Sequence, residues 1–128
     1  MSVPALHVYE RVGGLPFFER LVDRFYERVE SDPVLLHLYP LPEDLAPARR
    51  HLSLFLAQYW GGPTTYSDER GHPRLRMRHA PFAIGPEERD HWLSHMRAAV
   101  ASLDPEPEIR RALEEYFETA AESMRNRF

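Results

Sequence analysis

Apolar residues recur along the chain at three- and four-residue spacings, and prolines and glycines cut the pattern into short pieces. In LPFFERLVDRFYERVE, Phe18, Leu21, Val22, Phe25 and Val29 form one stripe with Tyr26 beside it, which predicts an amphipathic helix. Ahead of it, PALHVYERV predicts a short helix closed by Gly13-Gly14, a pair suited to a helix–helix corner. SDPVLLHLYP then offers Ser31 or Asp32 as N-cap and Pro33 at the first helical position. Ala48, Leu52, Phe55 and Tyr59 share a face of the next helix, which Gly61-Gly62-Pro63 stops. TTYSDERGHP reads as a loop.

The stretch HPRLRMRHAPF is ambiguous. Leu75, Met77 and His79 alternate with Arg74, Arg76 and Arg78, which is the period of a strand. No partner strand stands out elsewhere, so a short helix between Pro73 and Pro81 is the preferred reading. Pro86 and a first turn rich in acids open another helix, with Trp92, Leu93, Met96, Val100 and Leu103 on its apolar face. A last helix carries Ile109, Leu113, Tyr116, Phe117, Ala120 and Met124. The expected architecture is all-α, in roughly six helical pieces, with residues 1–128 forming one domain.

Composition narrows the chemistry. The absence of cysteine removes disulfides, zinc–thiolate sites, iron–sulfur clusters and thiol catalysis, so any metal must be held by nitrogen or oxygen. A net charge of −4 gives no global footprint for nucleic acid or membrane binding. No run approaches the ~18 apolar residues of a membrane span. MSVPALHVYERVGG lacks the basic start and long apolar run of a secretory signal. A soluble cytoplasmic protein is therefore expected.

Seven histidines remain as candidate ligands. From the residues alone, His79 reads either as a cap on the last carbonyls of its helix or as a metal ligand. Pro81 fixes how its imidazole projects. Leu75, Met77, Phe82 and Ile84 supply apolar neighbours that could wall a flat cofactor, and Arg78 could pair with a carboxylate. His91 and His95 are spaced i, i+4 on one helical face, a spacing that can chelate zinc. Trp92 and Leu93 replace the H-E-x-x-H pattern, and the sequence offers no third ligand, so a solvated face is expected. His51 lies at the edge of its helix's apolar stripe, about 60° from Ala48. That is a rim position, facing a cofactor's edge or water. His7, His37 and His72 read as surface or loop residues. Tyr26, Tyr39 and Trp92 sit near apolar faces with a polar atom each, ordinarily a sign of core packing.

The chain resembles the group II truncated haemoglobins, short globins built as a two-over-two helical sandwich enclosing haem. The resemblance rests on RFYERV, QYWGGPTTYSDERGHPRLRMRHAPFAI and ERDHWL, together with the two Gly-Gly pairs. It implies haem b, with His79 as the proximal ligand of its iron. Tyr26, Tyr39 and Trp92 would be the distal donors to the bound gas, and Ala48 would stand where ordinary globins carry the distal histidine. Leu52 and Phe55 would lie over the haem, Phe82 and Met77 would wall it, and Arg78, Tyr66 and His51 would lie near its propionates.

The implied function is reversible oxygen binding at ferrous iron with high affinity and slow release, and CO and NO as further ligands. Such release suits sensing, scavenging or redox chemistry better than bulk delivery. The enzymatic alternative is peroxidase-like or nitric-oxide dioxygenase activity with an external reductant, because no flavin motif is visible. A haem-free helical interaction module is the remote alternative. Self-association into a homo-oligomer stays open.

Overall fold

The computed structural model describes residues 7–128, and among them the only regular elements are eight helices. Residues 4–6 of the first expected helix lie outside the described residues. The rest of it is α1 (Val8–Arg11), which seats Val8 in the core.

The longest apolar stripe in the sequence becomes the centre of the fold. On α2 (Leu15–Val29), Phe18, Leu21, Val22, Phe25 and Val29 are fully buried, with Tyr26 and Phe17 close behind. Burying each such side chain stabilises the fold by about 1.5–3 kcal/mol. α2 packs against both α4 (Ala46–Tyr59) and α7 (Pro86–Leu103), and α7 packs against α8 (Pro107–Met124). Two helix pairs, α2–α4 and α7–α8, thus share one core through the α2–α7 contact.

The short elements place the corners. α3 (Pro33–Leu36) is capped by Asp32, whose Oδ1 accepts the Val34 N–H at 2.9 Å, which settles the choice between Ser31 and Asp32. The N-terminus of α7 is closed by Glu88, whose Oε1 accepts the Gly85 N–H at 2.8 Å. The turn after α4 touches α1, where Tyr9 N–H donates to the Trp60 carbonyl at 3.1 Å. A Cβ on Gly62 would sit 2.5 Å from the Tyr9 ring and 2.8 Å from the Ala57 carbonyl oxygen, so this close approach requires glycine.

One expectation changes and one ambiguity resolves. The stretch read as a loop contains α5 (Thr65–Arg70). Gln58 holds it at both ends of its amide, donating to Ser67 Oγ at 2.7 Å and accepting from Ser67 N–H at 3.0 Å. Its one buried residue is Tyr66, so no apolar periodicity announces it. The preferred helix between Pro73 and Pro81 is present as α6 (Leu75–His79), entered through Arg74 in the left-handed region at φ 45°.

Candidate functional site

A cavity of about 260 Å³ opens between α2, α3, α4, α6, α7 and α8. Its walls are largely apolar. His79 stands among them, and its geometry follows from the helix that carries it. The His79 ring Nδ1 lies 2.7 Å from the carbonyl oxygen of Leu75, one turn earlier. A carbonyl only accepts, so Nδ1 carries the hydrogen and donates. In the neutral ring this leaves the lone pair on Nε2, which no described group engages. A fixed tautomer with a free Nε2 on an apolar wall is the donor set that haem iron takes from a protein.

The C-terminal tail holds this segment in place. Asn126 Nδ2 donates to the Phe82 carbonyl at 2.8 Å and, at 3.4 Å, to the His79 carbonyl. Its Oδ1 accepts from Ile84 N–H at 2.9 Å, and its own N–H donates to the Ile84 carbonyl at 2.8 Å. Sequence reading passed over Asn126, because nothing in SMRNRF announces a contact with a loop more than forty positions earlier.

Tyr26, Tyr39 and Trp92 line the same cavity. The Tyr26 and Tyr39 rings meet edge to face with centroids 5.7 Å apart. Burial first, and then the Tyr39 hydroxyl, push Tyr26 well above the ordinary phenol range. Burial also raises Tyr39, while its bond with Tyr26 pulls the other way. The two hydroxyls share one hydrogen bond, in which one O–H donates and the other oxygen accepts. The accepting tyrosine keeps its own O–H for another partner. Trp92 is wedged edge-on between Phe25 and Phe117, at 5.3 and 5.8 Å, and no described group accepts from its indole N–H. Leu52, Phe55 and Phe82 also border the cavity. So does Tyr116, raised by burial and then by Tyr59, which sequence analysis had assigned only to a helix face.

The remaining site residues lie elsewhere. Met77 is 66% exposed and borders a separate surface hollow with Ser123 and Met124, so it does not wall the cavity. The reason is geometric: in a helix Met77 is turned about 200° from Leu75, whereas His79 returns to the Leu75 side. The alternation that grouped Met77 with His79 belongs to a strand. Ala48 is half-buried against the core without bordering the cavity. Tyr66 is buried against Phe55, with the Arg70 and Arg78 guanidiniums over its ring. Arg78 donates from Nε to the Pro73 carbonyl at 2.6 Å and from a terminal nitrogen to the Arg70 carbonyl at 2.9 Å. Its guanidinium therefore braces the α5–α6 loop. His51 Nε2 lies 3.1 Å from the Arg70 guanidinium. Burial, and then the Arg70 and Arg50 charges, lower its pKa. None of Tyr66, Arg78 and His51 borders the cavity itself.

The solvated face expected at His91 and His95 is observed only at His91, which stays 38% exposed. Both rings turn inward to Asp32, and His95 is nearly buried.

Known proteins resemble the chain over most of its length. A family model described as bacterial-like globin matches residues 7–126. The group 2 truncated haemoglobin YjbI of Bacillus subtilis is 45% identical over 118 residues, covering 92% of this chain and 87% of that protein. The crystal structure of the haemoglobin of the thermophilic phototroph Chloroflexus aurantiacus superposes with a TM-score of 0.90 at 57% identity, covering 94% of this chain and 98% of that one. A truncated oxygen-avid haemoglobin from Bacillus subtilis superposes with a TM-score of 0.86 at 44% identity, covering 93% and 98%.

Proposed function

Because the chain belongs to the group II truncated haemoglobins, bacterial-like globins whose kind binds haem and through it diatomic gases, we propose that it binds oxygen at ferrous haem b with high affinity and slow release. The observation that carries this reading is the shared cavity: a histidine with a free Nε2 and two uncommitted donors border one apolar space. Similarity to a haemoglobin described as oxygen-avid supports the same reading.

Haem supplies an iron with an open coordination position for a small gas. The protein's part is to hold and orient. His79 would hold the iron through Nε2, its ring fixed by the Nδ1 bond to Leu75 and by the Asn126 clamp behind it. With haem bound, Trp92 N–H and whichever hydroxyl of the Tyr26–Tyr39 pair is left free would donate to the partial negative charge of oxygen, the other tyrosine orienting it. Carbon monoxide develops less charge and gains less. Apolar walls from Leu52, Phe55 and Phe82 exclude water, which strengthens each donor. Family membership leaves the haem-free interaction module without support.

The redox alternative has one specific observation in its favour. Tyr116 borders the cavity and lies ring to ring with Tyr59 at 4.2 Å, and Tyr59 is 45% exposed. An external reductant could deliver electrons through that contact. Steady peroxide turnover that outlasts haem bleaching would favour this use of the site.

The visible spectrum tests the proposal. Purified protein given haem is recorded ferric, dithionite-reduced and after air is returned. A sharp Soret band with stoichiometric haem and a lasting oxygenated form is expected. Loose, non-stoichiometric haem with no oxygenated form would overturn the reading.

A further inference from the structure

The i, i+4 pair His91 and His95 lacks a third ligand in the sequence, and the fold supplies one from 59 positions away. Asp32 Oδ2 lies 2.8 Å from His91 Nδ1 and 2.6 Å from His95 Nε2. We propose that Asp32, His91 and His95 form a second metal site, apart from the cavity, for a divalent cation of the zinc class.

Several features of the cluster favour a ligand set over a chance contact. One atom from each residue lies within 4.8 Å of the other two. Zinc takes nitrogen and carboxylate oxygen at about 2.0–2.2 Å in a tetrahedron, which sets its ligands roughly 3.3 Å apart. Opening the His91 and His95 contacts to Asp32 by about 0.5 and about 0.7 Å would admit the ion. The two histidines stand one turn apart on a long helix, and Asp32 is held by its cap bond, in which Val34 N–H donates to Oδ1, which leaves Oδ2 for the cluster. All three ligands therefore sit on fixed backbone. The side chains of Asp32 and His95 are 9% and 14% exposed, while His91 is 38% exposed. A cation would enter past His91, with water completing the coordination.

The surroundings of the two rings differ. Glu87 Oε1 lies 4.0 Å from His91 Nε2. It is placed to accept that ring's N–H once Nδ1 binds a metal, the usual outer support of a ligating histidine. Arg28 works against the site. Its Nε donates to His95 Nδ1 at 3.1 Å, so neutral His95 keeps its hydrogen on Nε2. Metal binding moves that hydrogen to Nδ1 and displaces Arg28, whose charge also repels a cation. Arg28 is thus a built-in competitor of the metal. Two imidazoles and one carboxylate suit zinc, nickel or copper; calcium and magnesium prefer oxygen alone.

The test is calorimetric titration of the chelator-stripped, haem-loaded protein with zinc chloride. One zinc per chain is expected. Asp32→Asn, which keeps the capping oxygen, and His91→Gln and His95→Gln should each weaken binding by at least about tenfold. Arg28→Ala should tighten it. Absence of saturable uptake would overturn the proposal, as would wild-type affinity in the His91→Gln/His95→Gln double variant. A second measurement does not depend on any variant folding. In the wild-type ferrous carbon monoxide form, zinc should shift the imidazole NMR signals of His91 and His95 first. First shifts at His51 or His72 would also overturn it.

Discussion

Replacing Trp92 or Tyr39 with Phe removes one donor from the cavity and keeps an aromatic ring there. Tyr39→Phe keeps the ring contact with Tyr26, so most of its lost free energy belongs to the hydrogen bond; Trp92→Phe also removes the pyrrole ring between Phe25 and Phe117, and the carbon monoxide control separates that opened space from the lost donor. A hydrogen bond to a charged partner contributes about 1.5–3 kcal/mol. At about 1.4 kcal/mol per tenfold, each single variant should speed oxygen release by roughly one to two decades. The double variant should fall short of the product, because both donors serve one small ligand. Tyr26→Phe removes the hydroxyl paired with Tyr39 and should also speed oxygen release, through a lost donor or a less oriented one. Stopped-flow displacement of oxygen by carbon monoxide reads the release rate, and release of carbon monoxide into nitric oxide is the control. Release of both gases accelerated by the same factor would mean that access to the cavity had changed. Unchanged oxygen release in the double variant would refute the donor network.

Other consequences of the structure can be checked directly. Tyr26 titrates above its unfolded value near 10, so stability is intact below that pH and falls as pH rises through it toward the folded value; chemical denaturation at alkaline pH should show this slope, reduced in Tyr26→Phe. Asn126→Ala removes the clamp on the Phe82–Ile84 loop and should destabilise the protein by about 1–3 kcal/mol while hastening haem transfer to an acceptor apoglobin. Gly62→Ala drives a methyl into Tyr9 and the Ala57 carbonyl and should cost about 1–3 kcal/mol in denaturant melts. Met77→Gln, on the exposed face of α6, should change stability by no more than about 0.5 kcal/mol and leave haem retention unaltered.

What the sequence revealed and what it concealed divide along physical lines. The α2 stripe was legible because a continuous 3.6-residue period over fifteen residues has one interpretation, and every member of it is buried. α6 was legible as a helix only by elimination. Its side chains were then grouped as if on a strand, which is why Met77 was placed with His79. α5 was hidden because a six-residue helix with one buried side chain carries no period to detect. Asp32 was read through its neighbour Pro33 as a cap, and it is one, but its second oxygen meets His91 and His95 across the fold. Such a contact depends on how α3 docks on α7, and local sequence does not encode it. The same holds for Asn126, and for Tyr116, whose helical face turned out to be cavity wall.

The central claim is that His79 holds the haem iron through Nε2. The most direct measurement is the ferrous visible spectrum of His79→Gly, with and without added imidazole. The account predicts weakly held haem and a lost five-coordinate ferrous spectrum, partly restored as imidazole fills the place of the missing ring. Tight stoichiometric haem with the native ferrous spectrum in the variant, and no response to imidazole, would contradict it.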